Sequence, residues 1–199
     1  MPAEIEAKFL NVDIEDIRAR LKAAGAKLEQ PMRLMRRDLF DHADDRYKNG
    51  GYQERLRIRD EGGKIAINYK RAGEDSPYAH ELESTIDSYE NMKQILEAVG
   101  LKSISYQETK RETWLLDETE VVIDEWPWLK PYIEIEGPSE EAIKAVAAKI
   151  GFSWEEAKYG SVDTAYRAEY PKMDEDDSIS EVAIVKFDLP LPTYLKERQ

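Results

Sequence analysis

Three short stretches of this chain, each followed by a helical pattern, place glutamates two apart: Glu4-Ile5-Glu6 (followed by Ala7-Lys8), Glu81-Leu82-Glu83 and Glu134-Ile135-Glu136. In a β-strand successive side chains point to opposite faces, so each stretch sets two carboxylates on one face about 7 Å apart. Glu4, Glu6 and Lys8 then share a side, with Ile5, Ala7 and Phe9 opposite. Such carboxylates repel unless a cation or a basic neighbour lies between them. A second row has the other sign: Arg55, Arg57 and Arg59 alternate with Leu56 and Ile58. Three guanidiniums in that register form a row of forks suited to phosphate oxygens. A charged strand face standing alone is ordinarily just solvated. The chemistry therefore depends on whether acidic and basic rows meet in one space.

Composition narrows the options. The chain has 199 residues, 41% of them hydrophobic, which suits one sizeable domain rather than two. Against 29 Lys plus Arg stand 42 Asp plus Glu, a net charge of -13, which argues against a broad nucleic-acid footprint while allowing a local basic pocket. Without cysteine there is no disulfide, thiolate-held zinc or thiol nucleophile. His42 and His80 are the two histidines, so a metal here would be held by carboxylate oxygens, which suits Mg²⁺, Mn²⁺ or Ca²⁺. The sequence has no apolar run of membrane length, and its start runs straight into charged, periodic residues; a soluble, cytoplasmic protein with no membrane partner is expected.

The elements that must position these rows are legible in outline. Glu4 to Phe9 reads as a strand, and Ile14, Ile17, Leu21 and Ala24 recur at helical spacing behind Asp13 as cap, with Gly25 at the end. Met32 to Asp41 reads as a strand and His42 to Gly51 as a loop. Two alternating runs, Gln53 to Arg59 and Lys64 to Arg71, flank Asp60-Glu-Gly-Gly63 and form a hairpin. Ala72 to Tyr78 reads as a loop, and His80 to Glu83 as a strand leading into a helix, with Asp87 and Glu90 as a capping box and Met92, Ile95, Leu96 and Val99 as its stripe. Lys102 to Leu116 and Glu120 to Trp126 are strands joined by a turn. Trp126 to Pro131 reads as packed connection, with a tunnel mouth as the other option. Tyr132 to Glu136 precedes a helix through Ile143, Val146 and Ile150. Residues 1–170 form the domain; 171–199 read as an acidic linker and tail, whose Ala183 to Pro192 either adds an edge strand or stays mobile.

A strand carrying Glu-x-Glu and running into a capped helix thus occurs three times, which points to repeated architecture. The helices bear apolar stripes that need cover, and the apolar strand faces are the candidates to supply it. Helices outside and charge inside is the consistent solution. About eight antiparallel strands can close into a barrel whose interior side chains line or which holds one small ligand. Carboxylates 5 Å apart repel by roughly 3 kcal/mol per pair at an effective dielectric of about 20, so such an interior calls for Mg²⁺, Mn²⁺ or inward Lys and Arg.

These residues resemble the CYTH superfamily of triphosphate tunnel metalloenzymes, which includes class IV adenylyl cyclases and thiamine triphosphatases. Its E-x-E-x-K signature matches Glu4-Ile-Glu6-Ala-Lys8, and its L-R-x-R strand matches Leu56-Arg57-Ile-Arg59. The lysine of the next strand matches Lys70, the middle E-x-E matches Glu81-Leu-Glu83, and the late element matches Asp124 and Glu134-Ile-Glu136-Gly137. The resemblance implies an α+β fold, a closed antiparallel eight-stranded β-tunnel with helices packed outside. It implies Glu4, Glu6, Asp124, Glu134 and Glu136 as ligands for Mg²⁺ or Mn²⁺, and Lys8, Arg57, Arg59, Lys70, Arg111 and Lys158 as phosphate-binding residues. Lys8, Glu81 and Glu83 are the expected catalytic side chains, the two glutamates orienting water or metal. Two departures bear on substrate choice: Ala79 stands where the family often has Arg, and Lys130 where it often has Gly.

The expected activity is hydrolysis of the terminal phosphoryl of tripolyphosphate or another triphosphate, by a monomer or homodimer acting on a small molecule and not on nucleic acid. A class IV adenylyl cyclase converting ATP to cyclic AMP and pyrophosphate is the enzymatic alternative, and it must also fix adenine and ribose. Thiamine triphosphate is a third substrate, with Trp126 or Trp128 available for stacking. A non-catalytic polyphosphate-binding module is the alternative of another class; a full set of carboxylates argues against it, since binding an anion favours fewer acids.

Overall fold

A computed structural model describes residues 3–72 and 79–199, with side chains from residue 5 onward. The expected loop at Ala72 to Tyr78 therefore lies, apart from Ala72, outside the described residues, as does the Glu4 side chain. The strands are β1 (Ala3–Phe9), β2 (Lys27–His42), β3 (Glu54–Asp60), β4 (Ile65–Arg71), β5 (Ala79–Thr85), β6 (Leu101–Leu116), β7 (Thr119–Glu125), β8 (Tyr132–Gly137) and β9 (Ile184–Val185). The helices are α1 (Ile14–Ala23), α2 (Arg46–Asn49), α3 (Tyr89–Ala98), α4 (Glu140–Lys149), α5 (Asp163–Glu169) and α6 (Thr193–Lys196). Among the described residues no helix is long and apolar enough to cross a membrane.

Strand order is β2-β3-β4-β5-β1-β8-β7-β6-β9, and β2 also pairs with β6, so the first eight strands curl round a common interior. All their pairings are antiparallel. The curl is uneven. The β2–β6 ladder runs from Lys27↔Leu115 to His42↔Leu101, whereas β5 meets β1 only at Ala3↔His80 and Glu4↔Ala79. Further along β1, its free edge pairs with the backbone of Lys158, through bonds of 2.8 and 2.9 Å. The expected closed eight-stranded tunnel is thereby corrected to an α+β half-barrel, open along the β5–β1 seam. The physical reason is that another segment occupies the edge that β5 would need.

The outer faces carry the core. Ala7 and Phe9 of β1, Val121 and Ile123 of β7, and Ile133 and Ile135 of β8 pack with Ile17 and Leu21 of α1 and with Ile143, Val146 and Ile150 of α4. Each such aliphatic burial contributes about 1.5–3 kcal/mol, which fixes the register and so the inward faces. Contact between α4 and β8 is close enough that a Cβ at Gly137 would lie 2.5 Å from Thr119 Cγ2 and 3.0 Å from Ile143 Cγ2. A smaller cluster sets Tyr89 and Leu96 of α3 against Phe40 and Ile58.

Local expectations divide. Asp13 caps α1, its Oδ1 accepting from Asp16 N at 2.9 Å. For α3 the cap is Ser88, accepting from Asn91 N at 3.2 Å, rather than the expected Asp87 and Glu90 box. Of that helix's expected stripe, Ile95 and Val99 are 54% and 71% exposed, because Tyr89 takes part of the inner face. β2 begins at Lys27, five residues before the expected Met32, and absorbs Pro31 at an irregular stretch of its ladder, where a missing N–H is tolerated. The tail is folded onto the barrel: β9 adds a parallel edge to β6, and Met173, Ile179, Val185 and Leu195 join Trp126, Tyr132 and Tyr166 in a third cluster. Its acidic stretch wraps Arg167, which donates to the carbonyls of Asp174, Glu175 and Asp177 at 2.8, 2.9 and 3.1 Å.

Candidate functional site

With apolar faces committed outward, the alternate residues of each strand face inward, where they line a cavity of about 840 Å³. Glu6 and Lys8 reach it from β1, Glu134 and Glu136 from β8, Arg55, Arg57 and Arg59 from β3, Lys70 from β4, Glu81 and Glu83 from β5, and Arg111 from β6.

Lys8 is the hub of the acidic wall. It is 1% exposed, and its Nζ lies 3.0 Å from Glu6 Oε1 and 3.1 Å from Glu134 Oε1. Burial alone would lower its pKa; Glu134 and Glu6 outweigh that and hold the ammonium above its ordinary value. On its other side Glu134 accepts from Arg111 Nη2 at 2.8 Å. Burial would raise the Glu134 pKa, but Lys8 and then Arg111 hold it well below the usual carboxylate range. Glu6 and Glu136 are direct cross-strand partners on the inward face, and Glu136 is likewise opposite Glu120 of β7. Like charges so placed repel, which favours a cation beside them.

The basic wall is short of counter-charge. Arg59 Nη2 lies 2.6 Å from Glu61 and 3.7 Å from Glu83, and Arg57 Nη2 3.6 Å from Glu81. Lys64 pairs with Glu83, and Asn68 donates to Glu81 at 2.7 Å. Burial, then Arg57 and Arg111, push the Arg59 guanidinium down to about 10. The Nε atoms of Arg37, Arg57 and Arg59 are buried without a hydrogen-bond partner among the described residues. Lys70 ties the walls together, 3.9 Å from Glu6 and 3.7 Å from Glu81.

Of the expected site residues whose side chains are described, all but two line this cavity. Asp124 is 1% exposed and gives its oxygens to Arg111, at 2.7 Å from Nε and 2.5 Å from Nη2. Both its oxygens are thereby engaged by Arg111. Lys158 is exposed and serves through its backbone. Glu81 and Glu83 stand on the basic side, opposite Lys70 and Asn68. Among the residues not expected there that line the cavity are Arg37 of β2 and Glu120 of β7. The signal for Glu120 was its alternation with Asp124, whereas at Arg36-Arg37 two adjacent arginines leave the inward one undecided until β2 is registered against β3.

A divalent cation fits the Glu6 and Glu136 pair by its hard oxygen donors and by the like charge that cross-strand pairing brings together. Among the described residues no group of three acids or histidines is arranged to hold a metal.

Comparison with known proteins identifies the family. The CYTH domain model matches residues 2–168. A protein of Methanocaldococcus jannaschii, named as a candidate adenylate cyclase, is 30% identical over 135 residues, 67% of this chain and 75% of its own length. A solved structure from Pyrococcus horikoshii superposes with a TM-score of 0.67 at 22% identity, covering 81% of this chain and 98% of that one. Another from Hippeastrum, described as a candidate adenylyl cyclase with a dominant triphosphatase activity, gives 0.57 at 18% identity, covering 83% and 95%.

Proposed function

We propose, from the premise that this chain belongs to the CYTH domain family, that it is a metal-dependent triphosphatase removing the terminal phosphoryl group of tripolyphosphate or a similar triphosphate. The observation that carries this reading is the undercompensated basic wall, with buried Nε–H donors of Arg37, Arg57 and Arg59 left unbonded across the cavity from Glu6, Glu134 and Glu136. Unmade buried donors cost about 1–3 kcal/mol each, more when charged, and an extended polyanion would satisfy them together.

Mg²⁺ or Mn²⁺ would be held by Glu6 and Glu136, with Glu4 and Glu134 as further oxygen donors, and when bound supplies charge neutralisation at the phosphates. The chain's own residues do the rest. Arg57, Arg59, Lys70 and Arg111 align the phosphates, and Lys8 offsets charge at the reacting end. Glu83 is held below its ordinary pKa: burial would raise it, and the bonds from Lys64 and Asn68 outweigh that. It stays ionised and can accept a hydrogen bond from water. A water oxygen bonds to the terminal phosphorus as the bridging P–O bond breaks, releasing orthophosphate and a chain shorter by one phosphate. Positioning and electrostatics supply most of the acceleration in such transfers.

A second reading, adenylyl cyclase, draws on the printed names of the relatives. Against it, and against thiamine triphosphate, Trp126 is buried with Arg37 4.6 Å over its ring, and Trp128 does not line the cavity. Stacking of a base or thiazolium on Trp126 would have to displace Arg37. The test offers purified protein, with Mg²⁺ or Mn²⁺, tripolyphosphate, ATP and thiamine triphosphate, and quantifies orthophosphate, pyrophosphate and cyclic AMP. Orthophosphate without cyclic AMP is expected. Cyclic AMP with pyrophosphate would establish the cyclase instead, and binding without turnover under either metal the non-catalytic module.

A further inference from the structure

We infer that Arg37 is a further phosphate-binding residue of this cavity, held ready by the Trp126 ring, against which the C-terminal segment packs. The inference rests on the triphosphate reading and adds to it a residue outside the motif positions.

Arg37 lies on the inward face of β2, paired with Arg59 of β3 on one side and Gln107 of β6 on the other. It is 8% exposed and lines the cavity. Its guanidinium is fixed by two uncharged contacts, Nη2 donating to Thr109 Oγ1 at 3.1 Å and the carbon centre 4.6 Å from the Trp126 ring centroid. Nε has no hydrogen-bond partner among the described residues. An arginine serving the fold ordinarily pairs with a carboxylate or a carbonyl, because an uncompensated buried charge is costly. Here the neighbouring charges are of its own sign: burial first, then Arg57, Arg59 and Arg111, hold its pKa well below the ordinary value, and Asp124 offsets only part. Such a group destabilises the protein alone and gains from a polyanion beside it. Trp126 itself belongs to a cluster that Tyr132 and Tyr166 of the family domain share with Ile179, Val185 and Leu195 beyond it.

The test compares wild type, Arg37→Met and Arg37→Lys, freed of metal, by calorimetric titration with tripolyphosphate and by thermal melts with and without it. Losing one charge-assisted contact should weaken tripolyphosphate binding by about tenfold or more in Arg37→Met, with Arg37→Lys recovering part. In the absence of tripolyphosphate, Arg37→Met should melt at or above the wild-type temperature, since a buried, crowded charge is removed. Wild-type affinity in Arg37→Met would overturn the inference while leaving the triphosphate reading in place. A lowered melting temperature without tripolyphosphate would mark a structural arginine and overturn it as well. Failure of the wild type to bind tripolyphosphate would remove the reading on which both stand.

Discussion

Neutralising Asp124 asks most directly what this buried carboxylate is for. Both its oxygens are taken by Arg111, at 2.7 and 2.5 Å, and Arg111 is shared with Glu134 at 2.8 Å. Removing one partner of a buried ion pair costs about 3–5 kcal/mol. Asp124→Asn should cost less, about 2–3 kcal/mol, because Glu134 still compensates the guanidinium and the amide oxygen still accepts one bond. Burial already raises the Asp124 pKa, with Arg111 opposing, so part of the pair's attraction is spent on desolvation. For a chain of this size each kcal/mol moves the melting point by about 2–4 °C, so a fall of roughly 4–12 °C is expected at neutral pH without metal. In a double-mutant cycle with Arg111→Met the two losses should be less than additive by about 1 kcal/mol or more. Mn²⁺ titration should return wild-type stoichiometry in Asp124→Asn. An unchanged melting point together with lost Mn²⁺ binding would refute the argument and make Asp124 a metal ligand.

Other perturbations separate the walls. Glu6→Gln and Glu136→Gln should each abolish metal-dependent turnover with circular dichroism unchanged; wild-type rates in either would count against the cation site. Lys8→Met should lose stability at neutral pH, because Glu134 and Glu6 are left less compensated. Glu134 has a folded pKa below its ordinary 4.5, so its contribution is present above 4.5 and lost as pH falls through the folded value. The gap in melting temperature between wild type and Lys8→Met should therefore narrow below pH 4.5, and a gap constant with pH would contradict the pairing. Gly137→Ala should destabilise by about 1–3 kcal/mol through overpacking against Thr119 and Ile143, measured by urea unfolding.

Alternation alone determined that Glu6, Lys8, Arg57, Arg59, Glu134 and Glu136 share an interior, because period-two charge opposite period-two apolar residues leaves helices one surface to cover. It also placed helices after β1, β5 and β8, since caps and apolar spacing are local properties. What only tertiary structure decided depends on partners distant in the chain. Which of Arg36 and Arg37 faces inward follows from the β2 register against β3 and β6. The assignment of Asp124 to Arg111 follows from the β6–β7 ladder, in which they are direct partners. The open seam follows from Lys158 pairing on β1, and the folded tail from an apolar cluster around Trp126. Local spacing sets which face a side chain takes; the counter-charge it meets there is set by strands brought together from elsewhere in the chain.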